Sequence, residues 1–312
     1  RPVCAVRTPR RENCRFFTLA AQAEGAGFRP CLRCRPELAP RSMVWSVQDA
    51  SGILVQQAVR LLDAPELWPA ASSCTTCGEN VTVARLAQRL GISDRHLRRI
   101  FADALGVSPL QYLQTRRLLT AKQLLTDTAM PITQIALASG FASVRRFNAA
   151  FSVHYGLNPT QLRRGGAERS GDIDRTPTLR LAWRPPFDVP ALMAFFERRQ
   201  FHGVEWVVPD SDAPTLRRTV RLQHSASICA GLPHETTGWL SARFDIERRL
   251  VLLQTSDSLY PMLPRVIRRV RAMLDLDADP AAINTALHPY FPDGDGLRVP
   301  GAFDGFELAV RA

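Results

Sequence analysis

The sequence predicts a multidomain α+β chain: a small N-terminal domain stapled by a metal, an all-α double helix-turn-helix, and an α+β domain with an antiparallel sheet. Three observations predict it. The first forty residues hold four of the seven cysteines and are too short and polar to bury a core, helical units then recur at offsets of 49 and 50 residues, and alternating apolar runs follow. At 46% hydrophobic and 22% charged, the 312 residues exclude disorder, collagen-like repeats and a disulfide-held miniprotein. No apolar run approaches the roughly 18 to 20 residues that cross a bilayer, and residues 1–15 lack a secretory h-region. A cytoplasmic protein with no membrane partner is the expectation.

In residues 1–40, Cys31 and Cys34 form a C-x-x-C pair between Pro30 and Pro36, with Cys4 and Cys14 upstream. Two thiolates so spaced reach one zinc at about 2.3 Å, and without a secretory signal metal ligation is favoured over a disulfide. Residues 41–80 read as a packing helix over 43–63 and a connector rich in proline and serine. A second pair, Cys74 and Cys77, lies in that connector and either completes a four-thiolate site or serves no site.

Residues 81–164 carry the repeat. Leu86, Ala87 and Gly91 match Ile135, Ala136 and Gly140, and Leu97, Phe101, Gly106 and Pro109 match Phe147, Phe151, Gly156 and Pro159. Each copy reads as a short helix, a glycine turn, and a second helix opened by a serine N-cap, Ser93 or Ser143, and closed at Gly106 or Gly156. Between them a helix from Pro109 to Leu125, capped by Ser108, spans roughly 25 Å and could set two reading heads one DNA turn apart. Residues 165–177 read as a linker. In residues 178–295, Leu240, Ala242, Phe244 and Ile246, then a polar turn and 250–253, read as strands, and helical stripes at 192–196 and 263–274 cover one face. Cys229 reads as a small apolar strand residue, and nearly all the acidic residues of this part as solvated surface. Asp279-Pro280 opens a further helix, and 296–312 reads as the start of another domain.

Charge points to the partner. Residues 1–164 contain 22 basic against 10 acidic residues, and 165–312 contain 18 against 19, so the whole net charge of +11 comes from the first half. Such a field attracts a polyanion, and double-stranded DNA is the expected one. On the second helices of the repeat, Arg95, His96, Arg98 and Arg99 in one copy and Arg145, Arg146 and Asn148 in the other are the outward side chains. Arginine to guanine and asparagine to adenine are the favoured major-groove pairs, whereas arginines that touch only phosphate would position without reading. The six histidines form no H-x-x-x-H spacing, and no hydrolytic triad is visible.

These residues carry a resemblance. Arg1-Pro2-Val3-Cys4 and Gly27 through Cys34 resemble the metal-binding domain of the Ada methylphosphotriester methyltransferases. Gly140-Phe141-Ala142-Ser143, Phe147, Phe151, Gly156, Pro159 and Arg163 resemble the AraC-type double helix-turn-helix. Thr178 onward, with Trp183 to Asp188 and Gly296 to Glu307, is similar to the N-terminal domain of AlkA-type 3-methyladenine DNA glycosylases. The resemblance implies zinc held by Cys4, Cys31 and Cys34, with the methyl-accepting fourth cysteine immediately before Arg1, and Arg7, Arg29 and Arg33 facing phosphate. It implies a glycosylase aspartate beyond Ala312. It also implies a bacterial alkylation-damage response protein with RNA polymerase as a partner, monomeric on promoter and alkylated DNA.

The chemistry is consistent with a switch. Zinc with four thiolates carries a formal charge of −2 and keeps sulfur nucleophilic. Methyl transfer from a phosphotriester removes one negative charge from the protein and restores one to the DNA, worth on the order of 1 kcal/mol at a screened interface. Two alternatives stay open on the sequence: an AraC-type regulator whose α+β region holds a small effector beside a structural zinc, and a DNA scaffold with a structural zinc.

Overall fold

The computed structural model describes residues 9–18, 20–28, 50–64, 83–167, 178–210, 212–223 and 235–311. A short helix α1 (Ala20–Gly25) precedes α2 (Ala50–Asp63), whose Val55, Ala58 and Leu62 recur every three or four residues and are buried. The first repeat is α3 (Val83–Arg89) and α4 (Asp94–Leu105), the connector is α5 (Pro109–Asp127), the second repeat is α6 (Ile132–Ala138) and α7 (Val144–Tyr155), and α8 is Pro159–Ala167. Both reading helices end at a glycine in the left-handed region, Gly106 at φ 71° and Gly156 at φ 65°. Ser108 accepts from the backbone N–H of Gln111 at 3.3 Å while the Gln111 side chain accepts from Ser108 N–H at 2.9 Å, a complete capping box for α5. Leu113, Ala121, Leu124 and Leu125 of α5 are buried, whereas Leu110 in its first turn is 45% exposed.

The third region is a five-stranded antiparallel sheet, β1 (Thr178–Ala182), β2 (Glu205–Val208), β3 (Thr215–Gln223), β4 (Glu235–Asp245) and β5 (Leu250–Thr255), in the order β1-β5-β4-β3-β2. Helices α9 (Val189–Arg198) and α10 (Leu263–Met273) add Leu192, Phe196, Val266 and Val270 to the core formed by Leu216, Val220 and Phe244. Alternation fixes the faces: Leu216, Val220 and Leu222 point inward, and Arg217, Thr219 and Arg221 point to solvent. Helices α11 (Pro280–Leu287) and α12 (Gly305–Arg311) follow.

The motifs on either side of this domain meet. Arg298 donates to the carbonyl oxygens of Arg184 at 2.6 Å and Pro186 at 2.9 Å, with its guanidinium 4.3 Å from the Phe187 ring centroid. Gly301 donates to the Met273 carbonyl at 3.0 Å, and a Cβ there would stand 2.8 Å from the Ala272 carbonyl oxygen, so the chain passes this close only as glycine.

The expectation of solvated acidic residues fails at two positions. Glu205 is buried opposite Arg218 across β2 and β3, their closest charged atoms 3.6 Å apart, and Glu307 of α12 accepts from Arg218 Nη1 at 3.0 Å. Arg311 closes on Glu205 from the same helix. Charges that would be costly alone offset one another, while Glu205 Oε2 and Arg311 Nε accept or donate no hydrogen bond.

Among the described residues two cores hold the molecule. One joins α2, α3 and α4 through Val55, Leu86, Leu97 and Phe101. The other runs from Phe147 and Phe151 through Leu118 and Leu124 of α5 into the sheet at Leu179 and Leu253. Asp127 at the end of α5 accepts from the Arg180 backbone N–H at 3.2 Å across this junction.

Candidate nucleic-acid interface

The two reading helices are built alike. Ser93 Oγ accepts from the His96 backbone N–H at 3.3 Å, and Ser143 Oγ accepts from that of Arg146 at the same distance. Each cap satisfies an N–H that the helix cannot use and fixes where the helix begins. In α4 the residues Leu97, Ile100, Phe101 and Leu105 face inward and Arg95, Arg98 and Arg99 are exposed. His96 is half-buried, and its Nδ1 lies 3.1 Å from Arg99 Nη2. A guanidinium only donates, so Nδ1 is the acceptor of this contact. In α7 Phe147, Phe151 and Tyr155 face inward, Phe147 standing edge-on to Phe141 and Phe151 at 5.2 and 5.4 Å, while Arg145, Arg146 and Asn148 are exposed.

Arg95, Arg98 and the half-buried His96 therefore correspond by position to Arg145, Asn148 and Arg146, and the structure gives both sets to the first turns of their helices. The 19 residues of α5 separate the two units by a rod of about 28 Å. Its N-terminal half is anchored to α2. Asp63 of α2 accepts from Arg116 Nε at 2.8 Å and from the Tyr112 hydroxyl at 3.1 Å, and the Asp63 carbonyl accepts from Arg268 of α10. The Arg116 pKa is raised: burial works against its charge, and Asp63, with Tyr112 and Asp277, more than compensates.

Sequence reasoning missed Arg117. Its guanidinium lies against the turn of the second unit, with Nε 3.0 Å from where a Cβ on Gly140 would stand, and burial lowers its pKa. Residues 117 and 140 are joined only by tertiary packing, so no local signal announces the contact.

Cys4, Cys31 and Cys34, with Arg7, Arg29, Arg33, Cys74 and Cys77, lie outside the described residues, as does Cys229. Cys14 is partly buried, its Sγ donating to the Arg10 carbonyl at 3.3 Å. Among the described residues no three His, Cys, Asp or Glu side chains gather to hold a metal, and no helix is long and apolar enough to cross a membrane.

Comparison with known proteins follows this division. Residues 1–37 match the metal-binding domain of Ada, 86–165 a helix-turn-helix domain, and 178–304 the AlkA N-terminal domain. The Ada match supports zinc as the metal, and the AlkA match accounts for the α+β region that an effector-binding domain would otherwise explain. A Mycobacterium tuberculosis protein named probable bifunctional transcriptional activator/DNA repair enzyme AlkA is 34% identical over 100% of this chain, which spans 58% of that protein. The Bacillus subtilis bifunctional transcriptional activator/DNA repair enzyme AdaA is 30% identical over 52% of this chain and 68% of its own length. DNA-3-methyladenine glycosylase 2 of Escherichia coli is 30% identical over 42% of each chain. With an Ada metal-binding domain, a helix-turn-helix pair and an AlkA N-terminal domain in that order, the chain belongs to the Ada/AlkA family of bifunctional transcriptional activators and DNA repair proteins.

Proposed function

We propose that this protein senses alkylation damage and activates transcription in response. Its metal-binding domain accepts a methyl group from a DNA methylphosphotriester, its paired reading helices bind a promoter, and its α+β region supports a 3-methyladenine glycosylase. In the transfer, a methyl–oxygen bond of the triester breaks, a sulfur–methyl bond forms on a cysteine, and the phosphate regains its negative charge. Cys4, Cys31 and Cys34 would hold zinc, a fit that rests on thiolates being its preferred donors. Zinc, when bound, keeps these sulfurs deprotonated. Arg7, Arg29 and Arg33 would face the DNA backbone, and Arg95, His96, Arg98, Arg99, Arg145, Arg146 and Asn148 the promoter. The protein would act in the cytoplasm as a monomer on DNA, with RNA polymerase as its partner.

The observation that carries this reading is the pair of identically capped helices, each presenting arginines from its first turn, on one chain with an Ada metal-binding domain. The test combines zinc analysis with mass spectrometry after incubation with DNA carrying methylphosphotriesters. One zinc per chain, lost in Cys31→Ser, and one added methyl on a cysteine of the native protein are expected. Zinc retained without methyl transfer in the native protein would reduce the metal to a structural staple and overturn the proposal.

A further inference from the structure

The solvent face of the sheet carries chemistry that duplex reading does not use. Register pairs Trp206 with Arg217 and Thr219 with Trp239, which places both indoles beside Arg217 on the face turned away from the core. Trp206 is 39% and Trp239 45% exposed, whereas the inward Leu216 and Phe244 are fully buried. Strand spacing and residue rise put the two tryptophan positions about 12 Å apart, on either side of β3.

The same face continues through Arg243, paired with Leu252, which is paired in turn with Arg180. Ser241, Gln254 and Thr178 fill the row alongside. Arg180, Arg217, Arg221 and Arg243 are exposed. Among the described residues, the acidic side chains on the strands of this face are Glu235, which holds Arg221 at 2.8 Å, and Asp245, 3.4 Å from Arg248, while Asp127 of α5 meets the edge strand at Arg180. Residues 165–312 contain 18 basic and 19 acidic residues, so this cationic face is a segregation of charge and not a reflection of the region's composition.

Exposed aromatic rings, guanidinium groups and hydroxyls on one open sheet complement a polyanion that also offers flat apolar faces. A duplex keeps its base faces stacked inside, and an unpaired strand presents both features together. We propose that this sheet face binds single-stranded DNA, with Trp206 and Trp239 stacking on bases and Arg217 and Arg243 contacting phosphates. This is a second DNA contact, independent of the reading helices.

The test uses the full chain and a labelled oligothymidine, followed by fluorescence anisotropy. An Arg98→Ala, Arg145→Ala, Arg146→Ala background removes the reading-helix contribution. In that background, Trp206→Ala with Trp239→Ala should weaken oligothymidine binding by about tenfold or more, the scale of lost base stacking. Trp206→Phe with Trp239→Phe should hold binding within about threefold, because a ring remains to stack. Made in the unaltered chain, the alanine pair should leave duplex affinity unchanged. Oligothymidine binding indifferent to the alanine pair, or lost entirely in the reading-helix background, would overturn the proposal. So would sedimentation showing a dimer that the alanine pair dissociates, since the face would then be a contact between copies.

Discussion

Asn148 is the one neutral amide among the exposed side chains at the start of the reading helices, and neutrality makes its contribution separable. Asn148→Ala should cost about 1–3 kcal/mol in promoter binding and relax preference at one base pair while leaving the salt dependence intact. Arg145→Ala, if its contact is to phosphate, should weaken all sequences alike and lower the slope of log affinity against log salt by about one. Anisotropy titrations at several salt concentrations measure both. His154 gives a pH dependence of the opposite kind, one of stability. It stands edge-on to Tyr155 at 4.6 Å, with Nε2 4.0 Å from the Glu24 carboxylate and the Lys122 ammonium 5.5 Å from the same tyrosine ring. Burial, and then Lys122, lower its pKa below the ordinary 6.5. The unfolded chain therefore binds this proton more readily, so stability is complete above the unfolded value and falls as pH drops through it. Thermal melts should show a lower Tm at pH 5 than at pH 7.5, and His154→Gln should flatten that difference.

At the level of elements, the serine caps carry a measurable share of the fold. Ser93→Ala and Ser143→Ala should each cost about 1 kcal/mol in urea unfolding, with the two losses nearly additive because they lie in separate helices. These helices were legible in the sequence because their signals are local: a serine, a backbone N–H three residues later, apolar residues every third or fourth position, and a glycine at the end. The matched Leu97 and Phe147, both fully buried, made the repeat visible as well. The sheet was legible only in part. Its strand from Leu240 to Ile246 alternates cleanly and Leu250 to Leu253 is an unbroken apolar run, whereas β3 hides behind Arg217, Arg218 and Arg221, whose inward or outward direction depends on register. Arg218 reads as surface until Glu307, 89 residues away, is placed beside it. Trp206 and Trp239 likewise become neighbours of Arg217 only after strands pair. The metal site was read from Cys4, Cys31 and Cys34 by spacing and resemblance alone.

Across the whole molecule, the boundary between folding units does not follow the boundary between domains. The first reading unit has its own core with α2, and the second shares one with the sheet. Calorimetry should therefore show two transitions. Leu97→Ala should lower the one belonging to the first unit, and Phe147→Ala the one shared with the α+β region, each by about 2–5 kcal/mol of stability. A single transition moved equally by both substitutions would contradict that partition. The placement of Lys122 has a practical corollary. It is the only lysine among the 312 residues, and only 1% of its surface is exposed, in the C-terminal half of the rod that spaces the two heads. An amine-selective acylating reagent thus finds no competing side chain, and the rate at which it labels this position becomes a clock for how often the rod breathes.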